Sequence, residues 1–132
     1  LSNTSLVLFL VSFINSSNAF STASTLIGTL IGFLTGIYMP IGQLPAAVQS
    51  IIKVVPTSHA AALLRQALME EPLQKVFAGA PAEMVNAFKE TMGVTLSVGG
   101  RPLTPMTHVL VLTASFVIFS LLSLWSLSRK KR

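Results

Sequence analysis

The sequence predicts an all-α membrane protein: a helical bundle of about three transmembrane segments, the first truncated, with short re-entrant or interfacial helices between. Three observations predict it. No charged side chain precedes Lys53, the later charges are confined to Lys53–Arg101 and Arg129–Arg132, and the stretch between those two zones is again apolar and charge-free. A charge at a bilayer centre costs about 2.5–3.5 kcal/mol even on the lenient insertion scales, so membrane chains segregate charge in this way.

Composition agrees. Half of the 132 residues are hydrophobic (52%), only 10% are charged, and the mean hydropathy is +0.72. Soluble domains carry roughly a quarter charged residues. The net charge of +5 is mostly local, since Arg129, Lys130, Lys131 and Arg132 supply four of the five. A nucleic-acid surface spreads basic residues over a folded face. A basic cluster directly after an apolar run is instead a cytoplasmic anchor, so no nucleic-acid partner is expected and the lipid bilayer is. There is no cysteine, hence no disulfide and no thiolate metal site.

Residues 1–14 are apolar but rise only about 21 Å as a helix, short of the roughly 30 Å hydrocarbon core. The stretch reads as the end of a span that begins upstream, and its start shows neither the basic residues nor the cleavage site of a signal peptide. Asn15-Ser16-Ser17-Asn18 is a polar turn. Residues 21–39 are uncharged and long enough for about 28 Å of helix. Ser24, Gly28, Gly32 and Gly36 recur every fourth position along it, a smooth ridge of the kind that lets a second membrane helix approach closely. The plainer reading is the ordinary tolerance of membrane helices for glycine.

Pro40 ends that helix, and Pro45, Pro56 and Pro72 divide the next thirty residues or so into short pieces. Residues 46–55 and 57–69 form two short helical patterns, the second with Thr57 at its cap; broken at a proline, they read as re-entrant or interfacial. Residues 74–104 are more polar and read as an external insertion. It holds a helical pattern from Pro81 and a strand and turn at Val94–Gly100. Residues 106–128 are the clean final span, with Trp125 near its far end. The basic tail places the C-terminus in the cytoplasm of a multi-pass cell-membrane protein, with residues 43–104 outside.

Chemistry is sparse. There is no GxxxxGK[ST] phosphate loop, so no nucleotide site is expected in this chain. His59 and His108 lack the further ligands, at helical spacing, that zinc requires. Ser58-His59 has no aspartate anywhere in the chain to orient the imidazole, so no catalytic residues are assigned. His59 reads as an interfacial residue or, less plainly, as part of a substrate path. Arg65 must reach the interface or find a partner, with Glu70 and Glu71 as the candidates in sequence.

One ordered series goes further. Phe33-Leu34-Thr35-Gly36 is followed by Pro40 and Pro45, then by Pro56-Thr57-Ser58-His59, and then by Arg65. It resembles the permease of type-two ABC exporters, whose pattern is roughly F-L-x-G-x-x-x-P-x-x-x-x-P, a short helix, P-x-[ST]-[HY] and a later Arg. The resemblance covers about residues 13–68 and reaches the final span by placement only. It implies six spans per permease, of which this chain holds the end of the fourth, the fifth and the sixth. It implies pairing of two permease halves as a homo- or heterodimer, with the fifth span near the interface. It also implies a separate cytoplasmic ABC ATPase that binds ATP and magnesium, the chain itself being no enzyme. Gly36, Pro40, Pro45, Pro56, His59 and Arg65 are the family-motif positions. The insertion at 74–104 departs from the shortest family members. The rival expectation is a small holin-like or scaffold membrane protein working without an ATPase.

Overall fold

The computed structural model describes residues 1–130. The chain is mostly helical. Its elements are α1 (Ser2–Val11), α2 (Ser17–Leu34), a 3-10 turn (Ile41–Gln43), α3 (Ala46–Ile52), α4 (Pro56–Val76), α5 (Ala82–Thr91), strands β1 (Ser97–Val98) and β2 (Arg101–Pro102), and α6 (Pro105–Lys130). Among the described residues one helix is long and apolar enough to cross a membrane, Pro105–Arg129 of α6. Helices α3 and α4 pass the same test only as a pair, bent by 82° at their break.

The α2 boundaries differ from the expected 21–39. The helix starts earlier because Ser16 caps it, its hydroxyl oxygen accepting the Ala19 N–H at 3.2 Å. Half of the expected polar turn is therefore helical. The helix also ends earlier. Gly36 sits at φ +71°, while Ile37 N–H donates to the Gly32 carbonyl (3.0 Å) and Gly36 N–H to that of Phe33 (3.0 Å). These paired bonds are a Schellman stop. The hydroxyls of Thr22, Thr25 and Thr29 satisfy themselves on carbonyls one turn back. Polar residues crowd the first half of α2, which explains why it falls short of α6 as a span.

Pro45 is the N-cap of α3, which stops at Ile52, and Pro56 is the first residue of α4. Thr57 accordingly lies inside α4 and does not cap it. Pro72 does not break α4, which runs seven residues past the expected end at 69. A proline there removes the bond to the Leu68 carbonyl, and both residues are exposed, so the orphaned oxygen has access to its surroundings. The insertion at 74–104 thus shares its first turn with α4, then supplies α5 and a hairpin. In the hairpin Ser97 pairs with Pro102 and Val98 with Arg101. Gly99 (φ +59°) and Gly100 (φ +75°) make its two-residue turn, where both central residues need positive φ. The predicted strand from Val94 is reduced to two residues.

Helices α1 and α6 run side by side in the same direction. Leu1–Asn3 lie beside Leu112, Thr113 and Phe116, Phe9 meets Phe119 at 5.8 Å, and Ser12 and Ser126 share a 2.9 Å hydrogen bond. The buried apolar cluster is small: Ile41, Ile52, Ala62 and Leu96, flanked by Leu34, Leu44, Val48 and Leu103. It lies where α3, α4 and the hairpin meet the 3-10 turn. Most large apolar side chains remain outside it, among them Leu110, Leu121 and Leu124 of α6. Near the end of α6 the Arg129 guanidinium stacks 3.9 Å over the Trp125 ring. Lys131 and Arg132 of the basic tail lie outside the described residues.

Replacing Gly36 with Ala tests the α2 stop. The new Cβ would take positive φ and lie 2.8 Å from Ile41 Cγ1, so a loss of about 1–3 kcal/mol is expected. Gly79→Ala is the control, since Gly79 has φ +84° but open space around it. Urea unfolding in detergent should show Gly36→Ala to be clearly the more damaging.

Candidate functional site

The first turn of α4 is Pro56-Thr57-Ser58-His59, and all four residues are buried. Pro56 suits the first helical position because its missing N–H would find no partner there, and its fixed φ is already helical. From that start, successive side chains leave the helix about 100° apart. Thr57 shares a 3.2 Å hydrogen bond with the Asn3 Oδ1 of α1, its hydroxyl donating. Ser58 Oγ donates to the Leu34 carbonyl at the end of α2, at 2.9 Å. The His59 ring meets α6: its Nδ1 lies 2.8 Å from His108 Nδ1, and its Nε2 lies 2.9 Å from the Lys53 carbonyl that ends α3. One helical turn therefore holds four helices.

The histidine tautomers follow from the partners. A carbonyl only accepts, so His59 Nε2 carries a proton for Lys53. A neutral His59 then presents an Nδ1 lone pair, and His108 Nδ1–H donates to it. His108 Nε2 is left as a buried nitrogen without a partner. Exposure is 1% for His59 and 0% for His108. His59, expected as an interfacial residue, is buried between α4 and α6. Ser58 donates to the Leu34 carbonyl and not to a histidine, so Ser58 and His59 share no hydrogen bond. No group of three or more metal-ligating side chains occurs among the described residues.

Arg65 stands one and a half turns further along α4. Its Nη2 donates to the Gly36 carbonyl at 3.3 Å, and its Nη1 is buried without a hydrogen-bond partner. Neither glutamate pairs with it. Glu71 takes Lys75 at 2.6 Å on an exposed surface instead. Arg65 also lies against the end of α5, where a Cβ on Gly93 would sit 3.2 Å from Nη1.

The structure thus joins Gly36, Pro56, His59 and Arg65 of the motif series around α4. Pro40 and Pro45 sit apart, as the caps of the 3-10 turn and of α3. The glycine ridge is shortened. Gly36 is off the helix, Gly32 is buried under the Tyr38 ring, and only Ser24 and Gly28 stay open, with nothing within 4 Å of a Cβ on Gly28. Asn3 and His108 are site members that the motif series did not single out. Two cavities flank the turn and its continuation. One of about 360 Å³ lies among Leu1–Asn3, Ala60 and the α6 residues Leu112, Thr113 and Phe116. One of about 490 Å³ lies between α4 and the hairpin, with Glu70 and Lys89 at its wall. Comparison with protein families, characterised proteins and solved structures finds no match.

Ser58→Ala is expected to cost about 1–3 kcal/mol in unfolding free energy, the penalty for stranding a partly buried acceptor. Ser50→Ala removes a similar hydroxyl-to-carbonyl bond on an exposed face and should leave the urea midpoint nearly unchanged.

Proposed function

We propose that this chain is the C-terminal part of the membrane permease of an ABC exporter, moving a substrate out of the cytoplasm while a separate ATPase supplies the energy. The observation that carries the reading is the broken helix pair. Helices α3 and α4, bent by 82°, are tied at their break to the long apolar α6 and to the ends of α1 and α2. A short helix that enters and turns back needs its exposed backbone ends and polar side chains satisfied by neighbouring protein. The first turn of α4 has this arrangement.

In this reading the chain makes three passes, of which α6 alone is long and apolar enough by itself to span. Helices α1 and α6 run parallel, and α2 returns between them in sequence. The broken pair, α5 and the hairpin then share one side of the membrane, outside, and α6 carries the chain to a cytoplasmic C-terminus. Its aromatic and basic end, Trp125 with Arg129, suits the inner interface. The second permease half would meet α2 at Ser24 and Gly28, the part of the ridge that remains open. The external elements would cap two packed halves, with the ATPase driving the change between packings.

These 132 residues hold no cysteine, so single cysteines placed in them can be labelled in a background free of cysteine. Cysteine placed at Glu83 should react with an impermeant maleimide from outside intact cells, and cysteine at Ser128 only after permeabilisation. Equal labelling of both from one side would rule out the three-pass topology. In the full-length protein Gly28→Leu should lower the dimer population by roughly fivefold, the effect of about 1 kcal/mol of lost helix packing. An unchanged dimer, together with function that needs no ATPase, would favour the holin-like or scaffold alternative.

A further inference from the structure

The His59–His108 pair is built for one protonation state. With His59 Nε2–H on the Lys53 carbonyl, a single proton lies between the two facing Nδ1 atoms, and His108 Nε2 is the pair's one free lone pair. Two successive protons would each have a consequence. Taken up at His108 Nε2, the first creates a buried imidazolium whose new N–H has no acceptor, and a buried unpaired charge is costly. A further proton would put N–H groups on both Nδ1 atoms, which cannot stay 2.8 Å apart. Both steps are relieved by separating the rings and letting them reach solvent.

Nothing around the pair offsets such a charge. Helices α1 and α2 carry no ionisable side chain. Helix α3 ends in Lys53, itself a cation, whose carbonyl already takes His59. Helix α4 supplies Arg65, another cation, turned to the Gly36 carbonyl. Beyond His108, α6 is uncharged until Arg129 at its opposite end. The nearest glutamates along α4, Glu70 and Glu71, lie three turns from His59, with Glu71 on Lys75.

We propose that the His59–His108 pair is a proton-binding latch: with both rings neutral it clamps the first turn of α4 to α6, and proton uptake opens that joint. The other ties of the turn, Thr57 to Asn3 and Ser58 to Leu34, carry no titrating group. Protonation therefore removes the polar tie between α4 and α6 while leaving those to α1 and α2. The sign is set by the neutral closed form. The joint is closed while both rings are neutral and weakens as the pH is lowered. The inference stands on the geometry of the pair and does not require that the chain export anything.

The test uses spin labels on cysteines replacing Leu64 of α4 and Leu110 of α6, both well exposed, in an otherwise cysteine-free chain. Pulsed dipolar spectroscopy should give one short distance at about pH 8. A longer population should grow at least about fivefold by about pH 5, across the histidine titration range. His108→Gln should abolish that growth, because an amide can donate to or accept from His59 in either of its protonation states. A distance that does not move down to about pH 5, or a pH response that persists in a His59→Gln/His108→Gln double variant, overturns the latch. Ring nitrogen-15 spectra of the unsubstituted 132-residue chain, in which these are the two histidines, give an independent decision. The latch requires two neutral rings in the closed form and gain of charge over the interval in which the distance changes. Rings that charge with the short distance retained, or stay neutral while it lengthens, overturn it.

Discussion

Everything in this structure hangs on the first turn of α4. A helix directs three consecutive side chains three ways, and here each direction holds a different helix. The turn can do this only because Pro56 starts it abruptly. A capping residue such as serine would spend its side chain on the helix's own N–H groups. Starting with proline leaves Thr57 and Ser58 free to bond outward. Burial then makes these bonds strict, since a polar group left unpaired away from water costs more than a paired one gains. The bend between α3 and α4 is held by the same device, with His59 reaching back to the carbonyl that ends α3.

Polar ties carry this weight because the apolar core is so small. Four residues make the buried cluster, while the leucines of α6 face outward. Burying such a side chain is worth about 1.5–3 kcal/mol, so a fold that leaves many of them outside needs an apolar surrounding, lipid or protein. In such a surrounding the hydrophobic effect no longer chooses between helix arrangements, and packing and hydrogen bonds do. The parallel contact of α1 and α6 fits this. It is anchored by an aromatic pair and a serine–serine hydrogen bond, one for shape and one for register.

The sequence was most legible where one physical term dominates. Length and apolarity alone placed the last helix within a residue or two of its bounds. They misplaced both ends of α2, because a serine cap and a glycine stop decide those ends. Pro72 misled for the opposite reason: a proline breaks a helix only where the lost hydrogen bond cannot be replaced, and an exposed turn can lose one. The string Pro56-Thr57-Ser58-His59 was visible, but not its meaning. His59 and His108 are 49 residues apart, and no periodicity links them. Long-range polar pairs leave no local signal. The ridge of small residues was visible too, yet its spacing could not reveal that Tyr38 folds back over Gly32.

Arg65 shows how the same glycine serves both chain direction and charge. A half-buried guanidinium ordinarily calls for a carboxylate, and none is placed beside it. Its surroundings are instead two helix ends. Gly36 closes α2 and Gly93 closes α5, both at positive φ with the same paired stop: Val94 N–H donates to the Lys89 carbonyl at 2.8 Å and Gly93 N–H to that of Glu90 at 3.1 Å. Helix C-termini carry partial negative charge, and cations are stabilised there by roughly 0.3–1 kcal/mol, more when partly buried. Arg65 donates to the Gly36 carbonyl itself, and both glycines pack against the Ile41 side chain. A side chain at either glycine would meet Ile41 and force the helix end away from the guanidinium. Two helix ends, brought close because glycine occupies their stops, thus stand where a carboxylate would; the Gly36 carbonyl takes one N–H, and burial still pulls the guanidinium below its ordinary pKa.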